Sequence, residues 1–226
     1  MESTPVKLYV DDGSQPSRAC MIFCEMNNIP YEKVETRLVK GDNRKEEFLK
    51  INPLGQVPAM KHGEFCLREG HAIMKYLHAS FDCEDHWYPA CIKKRAKVDE
   101  LLDWYHSVLR QGAAPVVFKT VFSKFFGMKF PEDEIKMHHK ILKLSLKNIE
   151  NIFLKDDFLA GPEICIADLT FYNEILQLKY VEYDLSKYPK LLAWCDRMAA
   201  IPEVQKITKV ILSFIKAFLD KPKAKI

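Results

Sequence analysis

Val6-Lys7-Leu8-Tyr9-Val10-Asp11-Asp12-Gly13-Ser14-Gln15-Pro16-Ser17-Arg18-Ala19-Cys20-Met21-Ile22-Phe23 changes its hydrophobic period half-way along. Up to Val10 apolar residues alternate, as they do in a strand with one buried face. Asp11-Asp12-Gly13 is a turn. Beyond it Ala19, Ile22, Phe23 and Met26 recur at spacings of three and four, the period of a helix. Asn27-Asn28-Ile29-Pro30 ends that helix, and residues 31–38 read as a second strand, which a helical connection makes parallel to the first. Working on from there, residues 44–50 form a short helix. Residues 57–61 and 65–68 form two strands around the turn His62-Gly63-Glu64, and 70–80 form a helix with Ile73, Tyr76 and Leu77 on one side.

The order βαβαββα predicts one mixed four-stranded sheet flanked by helices, a thioredoxin-like domain over residues 1–80. Residues 81–91, with Trp87-Tyr88-Pro89 among them, read as a linker. After it the pattern is helical for more than a hundred residues: 93–110, 114–126, 132–154, 167–178, 189–200 and 202–219, parted by Gly, Pro and Asp. The expected architecture is therefore α/β plus all-α, with a compact bundle of five or six helices over 92–226.

Composition narrows the function classes. With 226 residues and 48% apolar content the chain can bury a real core. Its 34 basic and 31 acidic residues leave a net charge of only +3, too little for non-specific nucleic-acid binding. The basic groups Lys93-Lys94-Arg95 and Lys221, Lys223, Lys225 read as a solvated helix turn and a solubilising tail. No apolar run approaches the ~20 residues that span a bilayer. Seven cysteines, odd in number and without paired short spacings, point to reduced thiols in a cytosol-like compartment and to no metal site. The opening Met1-Glu2-Ser3-Thr4-Pro5 has no leader character.

Three places could carry chemistry. In a thioredoxin-like sheet the reactive group sits where the first strand hands over to the first helix, because the helix N-terminus presents unsatisfied N–H groups and a positive dipole end there. That junction is Ser14-Gln15-Pro16-Ser17, so a thiol-disulfide oxidoreductase, which needs cysteine at it, is excluded. Ser14 can donate a hydrogen bond to a thiolate brought by a substrate, or it can be an ordinary N-cap. The second place is Asn52-Pro53-Leu54-Gly55-Gln56-Val57-Pro58-Ala59. A proline at a strand start suggests either a plain turn or a cis Val57–Pro58 bond, the latter leaving the Val57 N–H and C=O free for an extended peptide ligand. The third is Glu69-Gly70-His71-Ala72-Ile73, where a helix start could take a carboxylate and Glu69 an ammonium. A thiol, a peptide backbone and a zwitterionic amino-acid head together make glutathione.

Those residues resemble the glutathione S-transferase family. Ser14-Gln15-Pro16-Ser17-Arg18-Ala19 and Asn52-Pro53-Leu54-Gly55-Gln56-Val57-Pro58 are similar to the theta class in particular. The resemblance continues through Trp87-Tyr88-Pro89, 94–99, 109–114, and Gly161-Pro162 followed by Ile164-Cys165-Ile166-Ala167-Asp168-Leu169. It implies a cytoplasmic homodimer that takes glutathione as co-substrate, with no metal. The family's activity is conjugation of the glutathione thiolate to small electrophiles, or reduction of organic peroxides. By the same resemblance Ser14 stabilises the thiolate and Arg110 reaches the cleft near the sulfur. Asn43 and Gln56 meet the glycyl end and backbone, Val57 with cis Pro58 pairs with the cysteinyl part, and Glu69 with Gly70 holds the γ-glutamyl head. The acceptor pocket falls to the helical half.

There are two departures from the family pattern. Gly70 stands where a serine is usual, which removes one hydroxyl contact worth ~1.5–3 kcal/mol to a charged group. Cys165 replaces the Ser or Thr that caps the helix bearing Asp168, at an expected cost of about 1 kcal/mol. The first keeps an alternative open, a weak or inactive relative that serves as a dimerising scaffold or as a subunit of a larger assembly.

Overall fold

The structure is a computed structural model that describes residues 5–220; the readings of the first four residues and of the lysine tail lie outside it. Strands β1 (Val6–Val10), β2 (Tyr31–Glu35), β3 (Ala59–His62) and β4 (Phe65–Arg68) form one sheet in the order β2-β1-β3-β4. β1 and β2 are parallel, while β1–β3 and β3–β4 are antiparallel. The expected mixed sheet is therefore present. Helices α1 (Gln15–Met26) and α3 (Gly70–Ser80) pack on it, with the short α2 (Glu46–Leu49) before the hairpin. Val6, Leu8 and Val10 are wholly buried, and the Cys20–Cys24 stretch of α1 closes over the same core.

Two strand edges differ from the sequence reading. β2 stops at Glu35 rather than at residue 38, because Leu38–Lys40 turns into a 3₁₀ segment closed by Gly41 at φ 71°. β3 begins at Ala59, two residues late, because Val57–Pro58 precedes it as a cis peptide outside the ladder.

The helical half departs further. Where a break at Gly112 was expected, residues 92–125 run on as one helix, here α4, with two π-helical turns at Tyr105–Leu109 and Phe118–Phe122. Gly112 lies inside it because a second helix, α5 (Glu132–Asn148), crosses there at backbone contact. A Cβ at Gly112 would fall 2.5 Å from the Leu142 nitrogen and 2.7 Å from its Cα. Pro115 lies inside it too. A proline lacks the N–H that would bond the carbonyl four residues back, and the orphaned Gln111 C=O instead accepts from His138 Nδ1 of α5 at 2.8 Å. The gap that a proline makes in a helix is thus closed by a neighbouring side chain.

Helices α6 (Ile166–Leu176), α7 (Pro189–Ala199) and α8 (Pro202–Leu219) complete the bundle. Every residue of α6 is buried, so its polar side chains need internal partners. The weak cap expected at Cys165 is compensated. The Asp168 carboxylate accepts the Cys165 N–H at 2.9 Å, its thiol at 3.2 Å, the Leu159 N–H at 3.0 Å and Trp194 Nε1 at 2.9 Å. Among the described residues no helix is long and apolar enough to cross a membrane.

Candidate active site

The sheet register assembles the site. Tyr9 of β1 lies opposite Ala59 of β3, and Ala59 lies opposite Arg68 of β4. The residues just past these, the Ser14 turn, cis Pro58 and Glu69, are thereby brought to one end of the sheet although they are far apart in sequence. The N-termini of α1 and α3 converge on the same edge. A Cβ built on Gly70 would lie 3.1 Å from the Pro16 Cβ. Two helix dipoles thus present their positive ends to one cleft, a setting that favours anions.

Ser14 caps α1. Its hydroxyl oxygen accepts from the Ser17 N–H at 3.4 Å, and its own N–H donates to the Asp11 C=O at 3.0 Å. Asp11 ties the turn down by accepting from the Gly13 N–H at 2.7 Å and the Leu38 N–H at 2.8 Å. The two readings of Ser14 are therefore compatible. Capping uses a lone pair, while the hydroxyl proton has no protein acceptor among the described residues, and Ser14 is only 9% exposed.

The loop ahead of β3 is held by two asparagines. Asn43 Nδ2 donates to the Gly55 C=O and Asn52 Nδ2 to the Gln56 C=O, both at 2.7 Å. This leaves the Gln56 side chain exposed and the Val57 N–H and C=O without protein partners among the described residues. Glu69 precedes α3 at φ 70° and ψ 114°, a left-handed conformation that costs a side-chain-bearing residue about 1 kcal/mol or more. The positive φ belongs to Glu69 and not to Gly70, which is buried and helical.

Arg110 stands apart from these. Its Nη1 donates to Glu174 Oε2 at 2.8 Å and to the Tyr105 hydroxyl oxygen at 3.1 Å. Burial opposes the guanidinium charge, but Glu174 and Tyr105 outweigh it and keep its pKa above the usual value. Its Nε and Nη2 make no protein hydrogen bond among the described residues. The His71 ring lies 5.4 Å from that of Tyr105 and 4.7 Å from that of His106. Burial first, then the charges of His106, Lys75 and Arg110, holds the His71 pKa down at about 3.

Sequence reasoning missed the links between the two halves. Arg18 is 1% exposed. Its Nε donates to Asn173 Oδ1 at 2.9 Å and its Nη1 to the Asp12 C=O at 2.8 Å, which ties α1 to α6. Burial lowers the Arg18 pKa to about 10, still cationic at neutral pH. Gln15 Nε2 donates to Gln177 Oε1, and Gln177 Nε2 to Glu174 Oε1, each at 2.5 Å. Between the β1–α1 turn and the helical half opens a cleft of about 620 Å³. Its helical wall carries Phe122, Phe125, Tyr180, Phe214 and Phe218. Phe122 and Tyr180 have ring centroids 5.0 Å apart, and Tyr180 and Phe218 5.8 Å. Among the described residues no group of three or more His, Cys, Asp or Glu side chains is arranged to hold a metal.

Residues 4–79 match the model for "Glutathione S-transferase, N-terminal domain", and residues 118–209 that for "Glutathione S-transferase, C-terminal domain". The chain belongs to the glutathione S-transferase family. It is 36% identical over 221 residues to human glutathione S-transferase theta-2B, covering 96% of this chain and 91% of that one. Over 224 residues it is 36% identical to Arabidopsis thaliana glutathione S-transferase T1, covering 94% and 91%. Its backbone is similar to that of human glutathione transferase theta-2 solved with glutathione and an unknown ligand, with TM-score 0.89, 35% identity, and 96% and 91% of the two chains covered. A human theta-class enzyme solved with the glutathione conjugate of 1-menaphthyl sulfate matches equally, with TM-score 0.89, 35% identity and the same coverage.

Proposed function

We propose that this transferase binds glutathione as an extended peptide along the end of the sheet and holds its sulfur as a thiolate against Ser14. The observation that carries the reading is the Ser14 hydroxyl, whose lone pair is committed to the α1 cap while its proton has no protein acceptor among the described residues. A free thiol titrates near ~8.5, and lowering that by two units takes about 2.7 kcal/mol. Ser14, the α1 dipole and the unpaired nitrogens of Arg110 share this task. The free N–H and C=O of Val57 pair with the cysteinyl residue as an added strand would. Asn43 and Gln56 stand at the glycyl end. Glu69 receives the γ-glutamyl ammonium, and the Gly70 N–H at the start of α3 receives its carboxylate.

The thiolate then attacks an electrophilic carbon held in the aromatic cleft. The S–C bond forms and the leaving group departs with its electron pair. In this division residues 1–80 bind glutathione, 81–91 link, and 92–226 form the acceptor side. The seven free cysteines support a reducing, cytoplasmic setting. A homodimer is the assembly expected. The names of the relatives favour the enzyme over a scaffold.

Calorimetric titration with glutathione tests binding, and Ser14→Ala tests the mechanism, with 1-menaphthyl sulfate as acceptor. The hydroxyl favours the ionised sulfur, so Ser14→Ala should lower kcat roughly ten- to a hundredfold and change glutathione affinity little. Unchanged turnover at matched saturation would remove Ser14 from the mechanism.

A further inference from the structure

Lys124-Phe125-Phe126-Gly127-Met128-Lys129, where α4 ends, is a run of six residues that are all exposed. The turn that holds them is fixed. Gly127 takes φ 65°, its N–H donates to the Lys124 C=O at 3.2 Å, and the Met128 N–H donates to the Ser123 C=O at 2.9 Å, the bonding that closes a helix at a left-handed glycine. Phe125 is nevertheless 65% exposed, Phe126 64% and Met128 45%. Phe126 and Met128 are not among the residues that line the aromatic cleft, so acceptor binding gives them no role.

The patch continues onto α8. Phe125 meets Phe218 with ring centroids 6.2 Å apart. Val210 and Phe214 lie one turn apart on the outer face of α8, Phe214 being 63% exposed, and Lys209, Ser213 and Lys216 run beside them. Exposed apolar side chains that adjoin in this way mark an interaction surface more often than scattered ones do. The charge around them has one sign. Lys124, Lys129, Lys209 and Lys216 are exposed and make no ion pair among the described residues, while the acids that follow the turn are taken, Glu134 by Lys119 and Glu132 and Asp133 by Lys136. On α8 the acids stand only at its two ends, Glu203 and Asp220.

A surface that is apolar and cationic at once fits a partner that is apolar and anionic at once. A second copy does not meet this, because a two-fold contact would set the same lysines against each other. A peptide helix would need a groove, whereas this feature is a protruding turn beside a helix ridge. A bilayer of anionic lipid supplies both halves: aromatic and Met side chains enter the acyl boundary, and lysines remain among the headgroup phosphates. We propose that the turn of residues 124–129 and the adjoining face of α8 dock this protein reversibly on anionic lipid surfaces. Docking of this kind is peripheral, calls for no spanning helix, and stands independently of the transferase reading.

Co-sedimentation of the full chain with phosphatidylcholine vesicles, with and without phosphatidylserine, tests the proposal. The wild type should bind the phosphatidylserine vesicles, bind phosphatidylcholine alone far more weakly, and lose affinity as salt is raised. Lys124→Ala with Lys129→Ala should weaken binding to the anionic vesicles roughly ten- to thirtyfold, on the order of fivefold for each cation, and reduce the salt dependence. Phe126→Ser with Met128→Ser should weaken it roughly tenfold while leaving the salt dependence in place. Thermal melts accompany both, and if the second pair fails to fold the lysine pair decides alone. A wild type that ignores anionic vesicles at low salt overturns the proposal, as does binding that both variant pairs leave unchanged. Self-association that is lost in Phe126→Ser with Met128→Ser, without vesicle binding by the wild type, overturns it in favour of a second copy.

Discussion

Three breakers of the sheet half, Pro30, Pro58 and Gly63, lie between elements, while two of the helical half, Gly112 and Pro115, lie inside one. Pro30 follows α1, Pro58 precedes β3 and Gly63 turns the β3–β4 hairpin, whereas Gly112 and Pro115 sit within the helix of residues 92–125. The residue types are the same and the outcomes opposite. A glycine or proline removes one Cβ or one N–H, and the surroundings decide what that omission does. Around β3 the missing donor faces the end of a ladder. In α4 the missing Cβ lets α5 touch the backbone at Leu142, and His138 replaces the missing donor.

The comparison breaks most visibly at Gly112. Gly112→Ala must push Leu142 away by about an ångström of backbone, so overpacking should cost about 3 kcal/mol despite the better helix propensity of alanine. Pro115→Ala is the contrasting case. Gln111 already has a donor in His138, and the variant should change stability by well under half as much. Urea denaturation of the two variants checks this. Equal, small effects would mean that the helices can part and that Gly112 is tolerated rather than required.

The second effect arises where the halves meet. His71 of α3 packs against Tyr105 and His106 of α4, and burial holds it neutral down to about pH 3. Unfolded, it would protonate near ~6.5. Its contribution to stability is therefore whole above the unfolded value and is lost as pH falls from there toward the folded one, because the unfolded state binds the proton first. At pH 5 the loss relative to pH 8 should be about 2 kcal/mol. His71→Gln, neutral throughout, should flatten the pH dependence by that amount. Parallel wild-type and variant profiles would show that His71 opens to solvent and that the contact between the halves is loose there.

How far the site could be read from sequence follows the same division. Ser14, Val57-Pro58 and Glu69 flank strands, and strand order with turn chemistry places them together before any side-chain contact is known. Gln177 and Glu174 gave no such signal. They lie one helical turn apart in a segment with no solvent face, where a search for an amphipathic stripe finds only apolar surroundings. The usable clue was the reverse one. Asp168, Asn173 and Glu174 in an otherwise apolar helix imply buried partners, since unpaired they would each cost several kcal/mol. The partners themselves, Arg18, Gln15 and Arg110, come from other elements, and local periodicity carries no information about which helix crosses which. For the same reason Arg110 could be placed near the cleft by resemblance while its pairing with Glu174 could not.

The smallest effect is expected at Gly70, the glycine intermediate between the two kinds. Its φ is ordinary, so restoring the serine usual in the family meets no backbone strain. The added Cβ would, however, point at the first turn of α1, 3.1 Å from the Pro16 Cβ, 3.6 Å from the Pro16 carbonyl oxygen and 3.7 Å from Cys20 Sγ. A contact at 3.1 Å asks Pro16 to yield by a few tenths of an ångström, and the new hydroxyl would find the Pro16 carbonyl as a competing acceptor. Gly70→Ser should therefore alter stability by less than about 1 kcal/mol and tighten glutathione binding by less than about threefold, short of the roughly tenfold that an unhindered charge-assisted hydrogen bond would give. Calorimetric titration and a thermal melt on the same preparation separate the outcomes. Tenfold tightening at unchanged stability would mean that Pro16 moves freely and that the start of α3 behaves like the open turns of the sheet half. A loss of more than about 2 kcal/mol would put Gly70 with Gly112, as a place where the chain needs the missing Cβ to let two helices meet.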